Sequence, residues 1–377
     1  MHCAYFAAGR CRSCGELAVP YAAQLAAKQA HAVATLAACD GIAWLAPVPS
    51  RPTGFRNKAK MVVGGTAAAP VLGILDAQQH GVDLTGCPLY PDALAACFPA
   101  LAAFITQANI APYDIPARRG ELKYLLLTLA EHSGDLMLRF VLRSQEPLAR
   151  IRKHLPALRA ALPQLRVVSA NLQPEHKAVL EGEQELLLTQ EQTLTMQVNG
   201  LPLHLRPQSF FQTNTEVAAA LYRQAREWVE AIDPPALWDL FCGVGGFALH
   251  CANGQREVTG IETSRDAIAS AERSRDALGL ANVRFAALDA TRFALDAREA
   301  PPLVIVNPPR RGIGADLCRF LDASAARSLV YSSCNSESLA RDLAMLPGFR
   351  ATHARVLDMF PHTRHYEVIV LLERGSR

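Results

Sequence analysis

The chain has 377 residues, 50% of them hydrophobic and 19% charged, with a formal net charge of +3. That length exceeds one ordinary core and predicts two or three domains, while so small a charge does not by itself imply nucleic-acid binding. No apolar run approaches the ~20 residues of a membrane helix, and Met1-His2-Cys3-Ala4-Tyr5 lacks the basic and apolar regions of an export signal. A cytoplasmic chain with reduced thiols is expected, so its ten cysteines are not a disulfide framework, and clustered ones point to metal binding or catalysis.

The first such cluster is Cys3, Cys11 and Cys14, with Cys87 following in Gly86-Cys87-Pro88. Four thiolates can close either a zinc site or an iron-sulfur cluster, and their spacing does not choose between them. A helix is predicted over residues 23–38. In Phe55 to Val63 the cations Arg56, Lys58 and Lys60 fall at every second position, which on a strand puts them on one face. Arg118, Arg119 and Lys123, then Arg139 and Arg143, extend the pattern and predict a phosphate-tracking surface. Strands over 121–129 and 136–142 flank the hairpin signal Ser133-Gly134-Asp135. A helix over 148–162 is expected to break or kink at Pro156, and two further strands complete an α+β pattern.

The chain divides near residue 205, into an α+β domain over 1–205 and an α/β domain over 206–377. Beyond the division, short apolar strands at 237–241, 257–261, 283–287, 303–306 and 329–331 alternate with helix-length segments, which implies a parallel sheet with helices on both faces. Residues 354–359 and 366–372 have no helix between them, so an antiparallel pair is expected to finish the sheet.

The first of these strands runs into Asp239-Leu240-Phe241-Cys242-Gly243-Val244-Gly245-Gly246-Phe247. Gly243 and Gly245 permit close backbone approach to a ligand at the start of the next helix. At the end of the second strand Glu262 can accept hydrogen bonds from ribose hydroxyls, and Asp289, after the third, is placed to meet a base. The loop has an acid before the turn and lacks the full dinucleotide glycine set, which suits S-adenosylmethionine better than NAD. In Asn307-Pro308-Pro309-Arg310 the prolines stiffen the backbone and present the Asn307 amide. Cys334, in Ser332-Ser333-Cys334-Asn335, ends a buried strand beside the crevice, where its thiolate is a candidate nucleophile.

Together with Ser209-Phe210-Phe211-Gln212-Thr213-Asn214 and Phe360-Pro361-His362-Thr363-Arg364-His365-Tyr366-Glu367, these motifs resemble the RNA uracil C5-methyltransferases over nearly the whole chain. The likeness is greatest to the branch acting on uracil 747 of 23S ribosomal RNA, with another ribosomal or transfer RNA uridine as the alternative target. It implies a Rossmann-like S-adenosylmethionine-dependent methyltransferase domain preceded by an α+β RNA-binding domain that carries an iron-sulfur cluster. It further implies Cys334 as nucleophile at carbon 6, Glu367 as base, and Gln212, Phe241, Glu262 and Asn307 as cofactor contacts. Cys3, Cys11, Cys14 and Cys87 would hold a [4Fe-4S] cluster, and a monomer would act on a hairpin-loop uridine. Asn307 and Gly246 depart from sister branches, which carry Asp and Asn there.

Two rival readings make different demands. An adenine amino-methyltransferase also uses an Asn-Pro-Pro turn but follows it with an aromatic residue, where this chain has Arg310. An iron-sulfur electron carrier with a vestigial nucleotide fold would not need Cys334.

Overall fold

The computed structural model describes residues 1–177, 179–297 and 299–375. In chain order these form α1 (Ala4–Ala7), α2 (Tyr21–Thr35), β1 (Ala43–Trp44), β2 (Lys58–Gly65), β3 (Pro70–Leu75), β4 (Gly81–Asp83), α3 (Asp92–Ala95) and α4 (Phe98–Gln107). Next come β5 (Leu122–Leu129), β6 (Leu136–Leu142), α5 (Leu148–Ala161), β7 (Leu165–Leu172), β8 (Gln184–Leu187), β9 (Leu194–Val198) and β10 (Leu201–Leu205). The remainder is α6 (Thr215–Ile232), β11 (Ala236–Leu240), α7 (Gly246–Cys251), β12 (Glu257–Glu262), α8 (Arg265–Leu278), β13 (Val283–Ala287), α9 (Ala290–Asp296), β14 (Leu303–Val306), α10 (Gly314–Ala323), β15 (Ser328–Ser333), α11 (Ser336–Leu343), β16 (Phe349–Leu357) and β17 (Glu367–Arg374).

The chain folds into two compact units, one of Met1–Ser13, Thr53–Met196 and Arg206–Gln208, the other of Cys14–Pro52, Gln197–Leu205 and Ser209–Arg377. This departs from the single division expected near residue 205, because the segment from Cys14 to Pro52 packs with the carboxyl-terminal half. Inside that second unit β1 pairs in parallel with β16. Lys28 of α2 is buried against Asp358, Nζ to Oδ1 2.6 Å, and also donates to the Phe360 carbonyl at 3.0 Å. Tyr21 donates to the other Asp358 oxygen at 2.9 Å. A buried ammonium needs such partners to offset its desolvation, and these lie 330 positions away in the chain, beyond any local reading.

The first unit is built on a seven-stranded sheet, order β4-β3-β2-β5-β6-β7-β8. Its pairs are antiparallel except β6 with β7, which the crossover helix α5 joins in parallel. Alternate residues of the strands, such as Ala59, Met61 and Val63 of β2 and Leu125, Leu127 and Leu129 of β5, are buried with Phe98, Leu101, Phe104 and Ile105 of α4 and Ile151, Leu155 and Leu158 of α5. Period-2 and helical patterns thus meet in one core. α5 runs on through Pro156 without a break. Burial of one helix face outweighs the single hydrogen bond that proline removes.

The second unit has an eight-stranded sheet, order β1-β16-β17-β15-β14-β11-β12-β13. β11 through β15 run parallel, as their unbroken apolar runs require of strands covered on both faces. The antiparallel pair is present, but it does not simply follow the last strand: β17 inserts between β15 and β16, and β1 adds a further edge. The chain leaves β11 toward β12 and β13, then returns to β14 on the other side. That reversal opens a crevice at the carboxyl ends of β11 and β14.

Candidate active site

Strand direction gathers the candidate residues at this edge. Phe241 to Gly245 follow β11, Glu262 ends β12, Asp289 follows β13, Asn307 follows β14 and Cys334 follows β15. Glu367 comes from the opposite direction. Because β17 is antiparallel to β15 with Ser333 opposite Val368, the first residue of β17 lies at the edge where β15 ends. The last turn of one strand and the first residue of its neighbour thus meet over the same crevice.

Within the glycine loop, Phe241, Gly243 and Gly245 all have positive φ, +65°, +54° and +82°. A non-glycine residue there is strained, and Phe241 holds it while lining the crevice. A Cβ on Gly243 would meet nothing within 4 Å, whereas one on Gly245 would fall 2.8 Å from the Phe285 ring. Gly243 therefore leaves room for a ligand, and Gly245 serves close helix-to-strand packing. Asp239 is fully buried and accepts from the Ala248 amide at 2.8 Å, and burial pushes its carboxyl up to about 7. Glu262 Oε1 accepts from Thr263 Oγ1 at 2.9 Å and from the Ser264 amide at 3.0 Å, which fixes the carboxylate at the strand end. Asp289 caps α9, its Oδ1 accepting from the Arg292 amide at 2.9 Å. The Asn307 side-chain amide has no hydrogen-bond partner among the described residues and faces the crevice.

At the other end of the crevice, Cys334 is half-buried. Burial and the nearby Glu367 push its thiol up, while the charge and hydrogen bond of the Arg310 guanidinium pull it down. Arg310 Nη2 also sits 2.8 Å from His365 Nδ1, and its carbonyl accepts from Asn335 Nδ2 at 3.1 Å. Glu367 is 2% exposed. Burial raises its carboxyl to about 7, against the lowering effect of the Ser332 hydroxyl, which donates to Oε1 at 2.7 Å. A carboxyl poised near neutrality is suited to exchanging a proton with a substrate.

A single cavity of about 660 Å³ takes in Gln212, Phe241, Gly243, Glu262, Asp289, Asn307, Cys334 and Glu367. Of the crevice residues expected from sequence, Gly245 alone does not line it. Asn214, from the same motif as Gln212, is structural: it caps α6 by accepting from the Val217 amide at 3.3 Å and donates to Ser50 Oγ at 2.8 Å. The cavity also takes in Tyr222, Gly246 and Arg311, together with Phe210, Arg310, Phe360 and His365 from the quoted motifs. The signal for Tyr222 lay only in its place on the buried face of α6. Phe210 is 70% exposed at the rim, an aromatic face open to solvent.

The basic strands separate into two kinds. Lys60 is exposed on β2, Arg56 and Lys58 are half-exposed, and Arg118 and Arg119 are exposed. Lys123, by contrast, is buried and donates to the Glu175 carbonyl at 2.7 Å and to Gln173. Arg139 is 2% exposed and ion-paired with Glu181 at 2.8 Å and Glu185 at 2.5 Å, and Arg143 pairs with Glu121 at 2.6 Å. Of these three cations of the expected phosphate-tracking surface, Arg139 and Arg143 are ion-paired and Lys123 is buried on neutral oxygen acceptors. Among the amino-terminal cysteines, the Cys87 thiol is raised by burial, with Cys3 and Cys11 adding to the effect, and Cys14 falls in the other compact unit. No three His, Cys, Asp or Glu side chains among the described residues are drawn together as a metal ion would require. The donors match sulfur ligation in chemistry, but they are not gathered into a ligand set.

Residues 298–375 match the family model of tRNA (Uracil-5-)-methyltransferase, and residues 236–306 match a methyltransferase domain. The chain is 57% identical over 99% of its length to the whole 23S rRNA (uracil(747)-C(5))-methyltransferase RlmC of Halothiobacillus neapolitanus. It is 54% identical to that of Serratia proteamaculans, with 100% of both chains covered. In three dimensions it is similar to the Pyrococcus abyssi tRNA (uracil-54, C5)-methyltransferase solved with S-adenosyl-L-homocysteine, at a TM-score of 0.80 and 24% identity over 95% of this chain and 85% of that one. Identity of this order over the full length, together with a thiol and a buried carboxyl meeting beside a glycine loop, establishes that the chain belongs to the RlmC family of uracil C5-methyltransferases.

Proposed function

We propose that the protein transfers a methyl group from S-adenosylmethionine to carbon 5 of uracil 747 in 23S ribosomal RNA, through a transient bond between Cys334 and carbon 6. The observation that carries this reading is the shared cavity, with the glycine loop and Glu262 at one end and Cys334 and Glu367 at the other.

Carbon 5 of uracil is a weak nucleophile. When the Cys334 thiolate adds to carbon 6, the ring's double-bond electrons move toward carbon 5 and the neighbouring carbonyl, and carbon 5 becomes able to accept a methyl group. The nearby Arg310 guanidinium favours the thiolate form, against the burial that raises the thiol. S-adenosylmethionine supplies the electrophilic methyl when bound, and Gln212, Phe241, Glu262, Asp289 and Asn307 are the residues to hold it. Glu367 then takes the carbon 5 proton, the electrons restore the ring double bond, and the carbon-sulfur bond breaks to release Cys334. The target base must leave its stack to reach a thiol at the floor of a cavity, which a hairpin loop allows most easily. The exposed cations of the first unit, Lys60, Arg118 and Arg119, are the candidates for its phosphate contacts, and a monomer suffices for the reaction.

The Glu367→Gln protein supplies the test. It should accumulate an RNA adduct that survives a denaturing gel, and recovery of free RNA alone would remove Glu367 as the base. Mapping 5-methyluridine in ribosomal RNA from cells with and without the gene fixes the target, and loss at a position other than 747 would reassign the substrate. The resemblance assigns Cys3, Cys11, Cys14 and Cys87 to a [4Fe-4S] cluster. All-sulfur donors support that assignment, and no step of the methyl transfer depends on it. Iron and sulfide in anaerobically purified protein should fall in Cys87→Ser, whereas bound zinc would overturn the assignment.

A further inference from the structure

Tyr222 lines the cavity and has no part in the scheme above. It projects from α6, with its ring edge-on to Phe247 at a centroid distance of 5.0 Å and stacked on His250 at 4.7 Å. The side chain is 7% exposed, yet its hydroxyl has no hydrogen-bond partner among the described residues. The hydroxyl is open to the cavity while the ring is packed, so it is held in place to donate to a bound ligand.

Gly246 makes room for it. A Cβ at that position would fall 2.5 Å from both the Tyr222 hydroxyl oxygen and the ring carbon that carries it, closer than real atoms approach. Glycine and tyrosine therefore form one unit, in which the ring end occupies the place where a side chain at 246 would begin. Burial, with Asp239 and Glu367 nearby, raises the phenol far above neutrality. The hydroxyl remains a neutral donor wherever the enzyme works.

Strand order decides which part of a cofactor it would meet. Glu262 and Asp289 lie on the β12 and β13 side of β11, while Asn307, Cys334 and Glu367 lie on the β14, β15 and β17 side. With ribose and base directed to Glu262 and Asp289, the amino-acid end is left over Gly246, on the side of Glu367. We propose that Tyr222 is a binding residue for the amino-acid end of S-adenosylmethionine, its hydroxyl donating to the carboxylate. The inference rests on the cofactor reading above.

Calorimetric titration of the full chain separates the two. S-adenosylhomocysteine carries the amino-acid end, and 5′-methylthioadenosine lacks it. Tyr222→Phe keeps the ring and should weaken S-adenosylhomocysteine roughly tenfold, as expected for a lost bond to a charged acceptor, while leaving methylthioadenosine unchanged. Unchanged affinity for S-adenosylhomocysteine, or equal weakening of both ligands, would overturn the assignment. Gly246→Ala should lose S-adenosylhomocysteine binding alone but lose far less when combined with Tyr222→Leu, since the two positions share one space. Wild-type affinity in Gly246→Ala would refute the shared-space argument. Failure of the wild-type chain to bind either ligand would instead bring down the cofactor reading.

Discussion

Several polar groups of the seven-stranded sheet and of the crevice edge differ in where they find their partners. In the seven-stranded sheet, Arg139 is enclosed by Glu181 and Glu185, Lys123 is held by Gln173 and the Glu175 carbonyl, and Asn171 bonds to Gly182 and Glu185. At the edge of the eight-stranded sheet, the Asn307 amide and the Tyr222 hydroxyl face a cavity without partners among the described residues, and one oxygen of buried Asp239 is unbonded. Desolvating a polar group without a partner costs about 1–3 kcal/mol. At the crevice edge a bound ligand can complete those bonds, whereas Arg139, Lys123 and Asn171 find partners within their own unit.

The sharpest way to break this comparison is at the thiol. Cys334→Ala should bring methyl transfer to background without altering S-adenosylhomocysteine binding, as read by incorporation of labelled methyl groups. Substantial residual turnover would mean that no sulfur bond is needed, as the electron-carrier reading requires. In the scaffold the expected loss is stability. Arg139→Met leaves two carboxylates without their cation and should destabilise the first unit by about 3 kcal/mol, seen as a lower denaturation midpoint. A midpoint within error of wild type would show that the network is dispensable.

A subtler effect concerns Glu367. As a base it works deprotonated, so the rate should rise with pH through about 7. Ser332 lowers that value by donating to the carboxylate; Ser332→Ala should therefore move the acid limb of the rate profile upward, and an unmoved limb would detach Ser332 from the base. The folded state holds this proton more tightly than the unfolded chain does. The stability contributed by the group is therefore full in acid, below the ordinary carboxyl range, and is lost as pH rises through about 7. Smallest of all, Lys60→Gln should weaken RNA binding a few-fold and reduce the salt slope by about one. An unaltered slope would place Lys60 outside the RNA path.

Much of the crevice was legible in the sequence because its geometry follows from short segments. A strand that ends in Asp239 to Gly245, a carboxylate at the next strand end and Asn307 before two prolines all act through backbone direction, and parallel strands carry them to one edge. The helix over residues 23–38 was also visible, as α2 from Tyr21 to Thr35. Its destination was not, since the Lys28 to Asp358 pairing depends on contacts far apart in the chain. The basic pattern misled for a related reason. Alternation shows that Lys60 and Arg139 belong to strands, but not that Glu181 and Glu185 wait beside one of them.

Sequence alone, then, determined the alternation of strands and helices in the carboxyl-terminal half, the cofactor class and the candidate for the nucleophile, because each is written within a few neighbouring residues. Only the tertiary structure decided which cations remain free, which segment joins the catalytic unit and that Tyr222 fills the space above Gly246. Those outcomes depend on burial and on partners distant in the chain, quantities that local pattern does not carry.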